Sequence, residues 1–175
     1  MDFFEVVKER FSYRGKFTED KIELSDLKKI VQTGLDAPSG KNMQTTEFVI
    51  ISDEDQVKKI REILPDKLAV ATGNAFIACI IDKEPEVVFD NHHFQIEDCS
   101  AAVENMLLAI TASGYASVWL DGVLRRNGID DKVGKVINCP ESKKVQILLP
   151  VGIPAEEGIR KEKKKFEDRV KIDKY

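Results

Sequence analysis

The sequence predicts a single domain in which α-helices and β-strands form separate packed layers. Segments with helical periodicity alternate with short apolar segments along the chain, and no low-complexity linker divides its 175 residues. One apolar segment, 75–81 (AFIACII), shows no alternation of apolar and polar residues, which is typical of a strand buried on both faces. A chain of this length fits one domain and is long enough to bury a core.

Each element is predicted from local signals. Asp2 and Glu5 have the spacing of a capping box, Asp53 is placed to cap a later helix, and Gly114 ends a long Ala- and Leu-rich helix. The predicted helices begin after Asp2, after Ser25, after Asp53, at Glu97 and at Asp130 or Asp131, and the predicted strands span residues 47–51, 75–81, 115–120 and 145–151.

Composition excludes several classes of protein. The 27 Lys and Arg residues against 31 Asp and Glu residues leave a formal charge of −4, so the chain lacks the excess positive charge that is typical of proteins that bind nucleic acid. The longest apolar runs are far too short to span a membrane. The first residues, MDFFE, lack a basic region followed by an apolar stretch, so no signal peptide is expected. These observations predict a cytoplasmic protein that binds small molecules, with neither nucleic acid nor a membrane as partner.

Several common functional fingerprints are absent. The cysteines, Cys79, Cys99 and Cys139, lack C-x-x-C spacing, which argues against a disulfide framework and a zinc site. His92 and His93 are adjacent, so on a regular strand they point to opposite faces, and we expect packing or surface roles for them rather than metal binding or catalysis. The chain also contains no G-x-G-x-x-G, no phosphate-binding P-loop and no G-x-S-x-G. No metal is predicted.

A basic segment follows the first predicted helix. It reads Arg10-Phe11-Ser12-Tyr13-Arg14, and in an extended chain Arg10, Ser12 and Arg14 project to one side. Two guanidinium groups and a hydroxyl on one side suit a phosphate, because charge-assisted bidentate hydrogen bonds are strong and directional. Spacing alone also fits a solvated basic turn.

A polar loop follows the second predicted helix at residues 37–44 (APSGKNMQ). Its neutral hydrogen-bonding side chains are Ser39, Asn42 and Gln44, and such groups can read the edge of a planar heterocycle. Without further context, the same run is an ordinary polar loop.

These two segments, in this order and separation, resemble the nitroreductase family of flavoproteins. Members carry R-x-S-x-R near the end of the first helix and a later A-P-S-x-x-N-x-Q loop, which residues 10–14 and 37–44 match. Residues 98–109 resemble the family's D-x-x-A-A-x-x-N-x-L-L-A helix. Residues 114–122 resemble G-x-x-S-x-W-ϕ-x-G, and residues 149–156 resemble L-P-ϕ-G-x-P-A-E, where ϕ is apolar. The five motifs occur in the family's order over nearly the whole chain.

The resemblance implies an α+β fold with a central, mostly antiparallel sheet flanked by helices, in an intertwined homodimer. It implies one FMN per site at the dimer interface, with electrons taken from NADH or NADPH. The electrons pass through flavin N5 to nitroaromatic, quinone or similar acceptors by a ping-pong mechanism. Because the flavin carries the chemistry, no catalytic side chain is implied.

The family's cofactor contacts transfer residue by residue. Arg10, Ser12 and Arg14 are implied to hold the FMN phosphate and ribityl chain, with Arg14 nearest the pyrimidine end of the ring. The backbone N–H groups of Asp121 and Gly122 are implied to lie near flavin N5, and the loop that begins at Pro38 comes from the other subunit. The full set of implied FMN-binding residues is Arg10, Phe11, Ser12, Arg14, Pro38, Ser39, Gly40, Asn42, Leu120, Asp121, Gly122, Lys163 and Lys165.

The last 23 residues, 153–175, have few apolar side chains and cannot form a core of their own. Within the single domain 1–175 we expect them to form a C-terminal arm that packs on the partner subunit. A basic residue of this arm is implied to reach the FMN phosphate, and Lys163, Lys164 and Lys165 compete for that role. A solvated charged tail fits the same composition.

The chain departs from the family's pattern at three places. Thr45-Thr46 stands where many members have Pro-Trp, Phe11 replaces a polar or basic residue, and the segment between Ile81 and Glu97 is short. A more open pocket is expected from the short segment. Two other readings stay open on sequence grounds: a flavin-binding sensor or carrier without turnover, and a domain without flavin whose motifs arise by chance.

Overall fold

A computed structural model describes residues 1–175 and contains four strands, seven α-helices and one 3₁₀ turn. The α-helices are α1 (Phe3–Glu9), α2 (Leu24–Leu35), α3 (Glu54–Ile63), α4 (Leu68–Ala71), α5 (Gln95–Ala112), α6 (Ile129–Val136) and α7 (Phe166–Arg169). The strands are β1 (Glu47–Ile51), β2 (Ala75–Asp82), β3 (Ala116–Ser117) and β4 (Lys143–Gly152), and the 3₁₀ turn is Gly40–Asn42.

Helix ends follow the local signals closely. The Asp2 side chain accepts from the Glu5 backbone N–H while Glu5 accepts from the Asp2 N–H, each at 3.0 Å, so the predicted capping box is confirmed. Asp53 caps α3 by accepting the Gln56 N–H at 3.1 Å, also as predicted. Three helices, α2, α5 and α6, begin one or two residues before the predicted positions, which is the usual precision of sequence-based helix ends.

The sheet is antiparallel throughout, with strand order β1-β2-β4-β3. Successive β2 side chains enter different cores: Ile77 and Cys79 join α2 and α5 on one face, whereas Phe76 and Ala78 join α3 and α6 on the other. The prediction of a strand buried on both faces is therefore confirmed. Helices cover both faces of the central strands, giving the expected α+β architecture.

A bulge in β4 changes which core its side chains enter, so that Val145 and Ile147, two residues apart, point into different cores. Cys79 lies opposite Ile147 and Ile80 lies opposite Val145, which leaves Gln146 as an extra residue. Val145 consequently packs with the α3–α6 side while Ile147 packs with the α2–α5 side. Gln146 stays buried, and its side chain points toward the turn that follows β3.

The predicted strand 115–120 was wrong in length, because β3 comprises only Ala116 and Ser117. The two residues pair with Gly152 and Val151 of β4, so the next partner in register is Pro150. Proline has no backbone N–H to donate, and the ladder stops there. The same register returns at Leu120, which forms an isolated bridge with Leu148.

Three short elements were not predicted: the 3₁₀ turn at Gly40–Asn42, α4 and α7. Each has four residues or fewer, too short for helical periodicity to appear in the sequence. The first of them lies within the polar loop at 37–44 and determines its shape.

Candidate functional site

The basic segment 10–14 leaves the end of α1 in an extended conformation and is fixed by one aromatic side chain. Tyr13 is completely buried, packs against Phe17, and donates its hydroxyl hydrogen to the Lys16 carbonyl. Its backbone N–H donates to the Ser117 carbonyl at 2.9 Å, which ties the segment to β3. Burial also raises the pKa of Tyr13, so the phenol stays neutral at physiological pH.

The two arginines of this segment differ in their surroundings. Arg10 is 23% exposed, and its Nε lies 3.4 Å from Glu104 Oε1 of α5. That Nε is buried and makes no hydrogen bond of good geometry. Arg14 is exposed, and its Nη1 donates to the Ser12 carbonyl at 3.1 Å. The convergence of Arg10, Ser12 and Arg14 on one anion stays a prediction.

The polar loop has an unusual backbone. Lys41, Asn42 and Gln44 have φ of 49°, 57° and 52°, in the left-handed region that side chains other than glycine seldom adopt. Within the loop, Ser39 Oγ accepts the Gln44 N–H at 3.0 Å. Pro38 and Asn42 are exposed, and Ser39 and Gly40 are half-buried, so the implied flavin contacts of this loop are accessible.

A buried carboxylate on α5 anchors this loop. Asp98 is 8% exposed; its Oδ1 accepts the Gly40 N–H at 2.8 Å and its Oδ2 accepts from Thr45 Oγ1 at 3.1 Å. Gly40 also packs tightly on Phe94, since a Cβ there would come within 2.7 Å of the ring. Sequence reasoning did not include Asp98 among the site residues. The available signal was its position as the first residue of the motif at 98–109.

The turn after β3 presents backbone donors. The bridge between Leu120 and Leu148 holds this turn on the sheet. The backbone N–H groups of Asp121 and Gly122 donate to no backbone carbonyl. A Cβ at Gly122 would meet no heavy atom within 4 Å, so the space beside this turn is open.

The Asp121 side chain is oriented by two neighbours. Its oxygens accept from Arg125 Nε at 2.6 Å and Nη2 at 2.8 Å, and Gln146 Nε2 lies 3.5 Å away. The hydrogen bonds to Asp121 raise the pKa of Arg125. With its carboxylate turned to Arg125, Asp121 contributes its backbone rather than its side chain to the open space.

The implied tail cations, Lys163 and Lys165, make no side-chain hydrogen bond or ion pair with the other candidate residues. Lys163 and Lys165 are exposed and form no ion pair within the chain. The basic residue that reaches the segment 10–14 is Arg160, which donates to the Lys8 carbonyl at 3.3 Å and pairs with the Glu9 carboxylate. Its guanidinium carbon lies 4.8 Å from the centre of the Phe11 ring. Sequence reasoning did not single out Arg160, because nothing local distinguishes it from the basic residues that follow.

Helix α5 contacts two of the candidate segments. Asp98 near its start holds the loop at 37–44, and Glu104 six residues later faces Arg10. At 1.5 Å per residue these two contacts are about 9 Å apart along the helix axis.

His92 and His93 are exposed and contact neither segment through a hydrogen bond or ion pair. No group of three or more His, Cys, Asp or Glu side chains is arranged to hold a metal ion, and no helix has the length and apolarity to cross a membrane.

Comparison with known proteins identifies the family. A sequence model of the nitroreductase family matches residues 7–153, which include four of the five motifs in full and most of the fifth. The chain belongs to the nitroreductase family. An Archaeoglobus fulgidus protein named "Putative NADH dehydrogenase/NAD(P)H nitroreductase" is 30% identical over 141 residues, which cover 81% of this chain and 79% of that protein.

Solved structures of the family share the fold. A Bacteroides thetaiotaomicron structure with the same name superposes with a TM-score of 0.82 at 25% identity, covering 99% of this chain and 98% of that one. The structure of a nitroreductase with bound FMN from Bacteroides fragilis superposes with a TM-score of 0.78 at 23% identity, covering 99% and 100%. These similarities confirm the nitroreductase-like fold predicted from the five motifs.

Proposed function

We propose that this nitroreductase-family protein is an FMN-dependent oxidoreductase that passes two electrons from NADH or NADPH to nitroaromatic, quinone or similar acceptors. The family match over residues 7–153 carries the proposal. The Bacteroides fragilis relative with bound FMN supports the choice of cofactor. Bound FMN supplies the redox chemistry, and the protein supplies binding, orientation and electrostatics.

The residues of this chain fit FMN in both charge and hydrogen bonding. The Nε of Arg10 is buried and faces Glu104, but the side chain is 23% exposed, and the Arg14 guanidinium is exposed, so both arginines can offer terminal N–H donors to a phosphate. The backbone N–H groups of Asp121 and Gly122 donate to no backbone carbonyl and face open space, which suits a ring nitrogen acceptor such as N5. The cation of Arg14 also suits the negative charge that reduced flavin carries near N1 and the C2 carbonyl.

The proposed acceptors fit the surroundings of the polar loop. Residues 83–94 contain only a short β-bridge between Phe89 and His92, so this connection adds no covering helix. We infer that planar acceptors could reach the flavin ring from this side. Because the nicotinamide and the acceptor would use the same face in turn, ping-pong kinetics follow.

We also infer a homodimer in which residues 153–175 pack on the partner subunit. Apolar side chains on α1 and the arm are exposed in the single chain: Phe4 is 80% and Ile159 is 91% accessible. Phe3 and Phe166 are exposed as well, and removing these apolar side chains from water would favour association with a second copy. In the homodimer that the family resemblance implies, the polar loop of the second copy contributes to the FMN site of the first.

The function is tested with purified protein in three steps. The proposal predicts a yellow protein whose bound FMN loses its visible absorbance under anaerobic NADH or NADPH. Addition of a nitroaromatic or a quinone then restores the absorbance. A colourless protein that takes up no FMN contradicts the proposal, whereas stable absorbance in the presence of both nucleotides identifies a sensor or carrier without turnover.

A further inference from the structure

We propose that Asp98 and Thr45 are positioning residues, which together hold the loop at 39–44 in the shape that contacts the cofactor. This inference rests on the proposed function for the role of the loop. It concerns a pair that sequence reasoning did not assign to the site, and one member of the pair, Thr45, stands where many members of the family have proline.

The loop needs an external anchor because its backbone is unfavourable. Left-handed φ values at Lys41, Asn42 and Gln44 each cost of the order of 1 kcal/mol and persist only where the surroundings impose them. Inside the loop, the Asn42 N–H donates to the Ser39 carbonyl and the Met43 N–H to the Gly40 carbonyl. These bonds are local, so they shape the turn without fixing its place on the protein.

The two bonds that fix its place both end on Asp98. Gly40 at the start of the loop and Thr45 just after it donate to the two oxygens of one carboxylate, at 2.8 and 3.1 Å. Asp98 lies on the first turn of an 18-residue helix packed against the sheet, so the anchor belongs to the rigid part of the fold. Because each oxygen of the carboxylate accepts one of these bonds, the single side chain holds both ends of the loop.

Thr45 takes part through a group that the more common proline does not have. The Thr45 hydroxyl donates a hydrogen bond to a charged acceptor in a half-buried site, and such bonds are stronger than neutral ones. Thr46, the next residue, gives a matched comparison because its Oγ1 is buried and has no hydrogen-bond partner. Removing the Thr45 hydroxyl breaks a bond, whereas removing the Thr46 hydroxyl breaks none.

The test compares Thr45→Val and Asp98→Ala with the control Thr46→Val, using two measurements on each protein. Hydrogen exchange of the FMN-free protein reports on the loop, and an FMN fluorescence titration gives the cofactor's Kd. Thr45→Val should speed exchange at 39–46 and raise Kd by about tenfold, the effect of losing one hydrogen bond to a charged group. Asp98→Ala removes the bonds to both Gly40 and Thr45, so it should have at least the same effect. The double variant should raise Kd by clearly less than the product of the two single effects, because both remove the same bond.

The alternatives give different results. If Thr45→Val matches Thr46→Val in both measurements, the positioning role is wrong. Faster exchange at 75–82 in β2 to the same degree as in the loop points to general destabilisation and also overturns it. Faster loop exchange without a change in Kd shows that the loop does not position the cofactor. If the unmodified protein binds no FMN, the proposed function fails, and the exchange data alone decide whether the pair orders the loop.

Discussion

Two basic segments of this chain are candidates for the same phosphate, and they differ in what fixes their shape. The segment 10–14 is built around the fully buried Tyr13 and tied to β3 through its backbone. Residues 159–175 of the arm are exposed throughout, and Arg160 forms their hydrogen bonds with Lys8 and Glu9 near the start of the chain. The segment 10–14 has a buried anchor within its own chain, whereas the arm has none, and in the proposed homodimer the partner subunit would supply its contacts.

The largest effect is expected where the first segment is anchored. Tyr13→Ala should lower the free energy of unfolding by about 3–5 kcal/mol, since it removes a large, completely buried side chain. Urea unfolding measures the loss. Tyr175→Ala removes the same side chain from the exposed arm and should change the free energy of the single chain by no more than about 0.5 kcal/mol. Equal effects of the two substitutions would remove the contrast between the segments.

A smaller effect, and one that depends on protein concentration, is expected in the arm. If the proposed homodimer forms through the arm, Phe166→Asp should weaken it by about 2 kcal/mol for each copy, because a charge would replace an exposed apolar side chain that the partner would cover. Sedimentation over a range of concentrations measures the dissociation constant. Lys174→Asp alters charge in the same arm without removing apolar surface and is the control. An unchanged dissociation constant for Phe166→Asp would mean that this part of the arm does not pack on the partner.

The two segments can then be compared for phosphate binding. Arg10→Ala should weaken FMN binding by about 1–3 kcal/mol, since a phosphate loses a charged donor. Lys163→Ala should have a smaller effect that disappears in a dimer-deficient variant, because its contact would depend on the arm's position on the partner. Fluorescence titration of FMN gives both values, with the exposed Arg126→Ala as control. Unaltered affinity in Arg10→Ala would remove Arg10 from the site.

The smallest effect concerns a contact made within one chain. Hydrogen bonds from Lys29 and Tyr115 hold the pKa of Asp26 below its ordinary value. A folded-state pKa below the unfolded one adds stability above about pH 4, and this is lost as pH falls through the folded pKa. Tyr115→Phe should therefore reduce the drop in unfolding free energy on acidification below pH 4. An identical drop in both proteins would contradict the assignment, and the result should not depend on protein concentration.

Local signals in the sequence were sufficient for most elements of the fold. The bounds of β1 and the capping box of α1 are as predicted, because short-range patterning and side-chain caps determine them. The prediction for β3 was too long because its length depends on Pro150, a partner more than thirty residues away in the chain. Pairing between distant segments leaves no trace in the local pattern.

In the candidate site, too, the sequence predicted the local segments but not the contacts between distant residues. The motifs identified the loop at 37–44 and the turn at 121–122, but not the residues that orient them. Asp98 meets Gly40 across 58 residues of sequence, and Arg160 meets Glu9 across 151. The motif at 98–109 contains Asp98, but spacing does not show which group it holds, and no motif marks Arg160, so only the folded chain reveals these contacts.

Native mass spectrometry of the purified protein can show whether two chains hold two FMN molecules. We expect one dominant species that contains two chains and two FMN molecules, and loss of FMN from it when Arg10 is replaced by Ala. A single chain without FMN, observed after the protein has been incubated with excess cofactor, would show that the proposed FMN-binding homodimer is wrong.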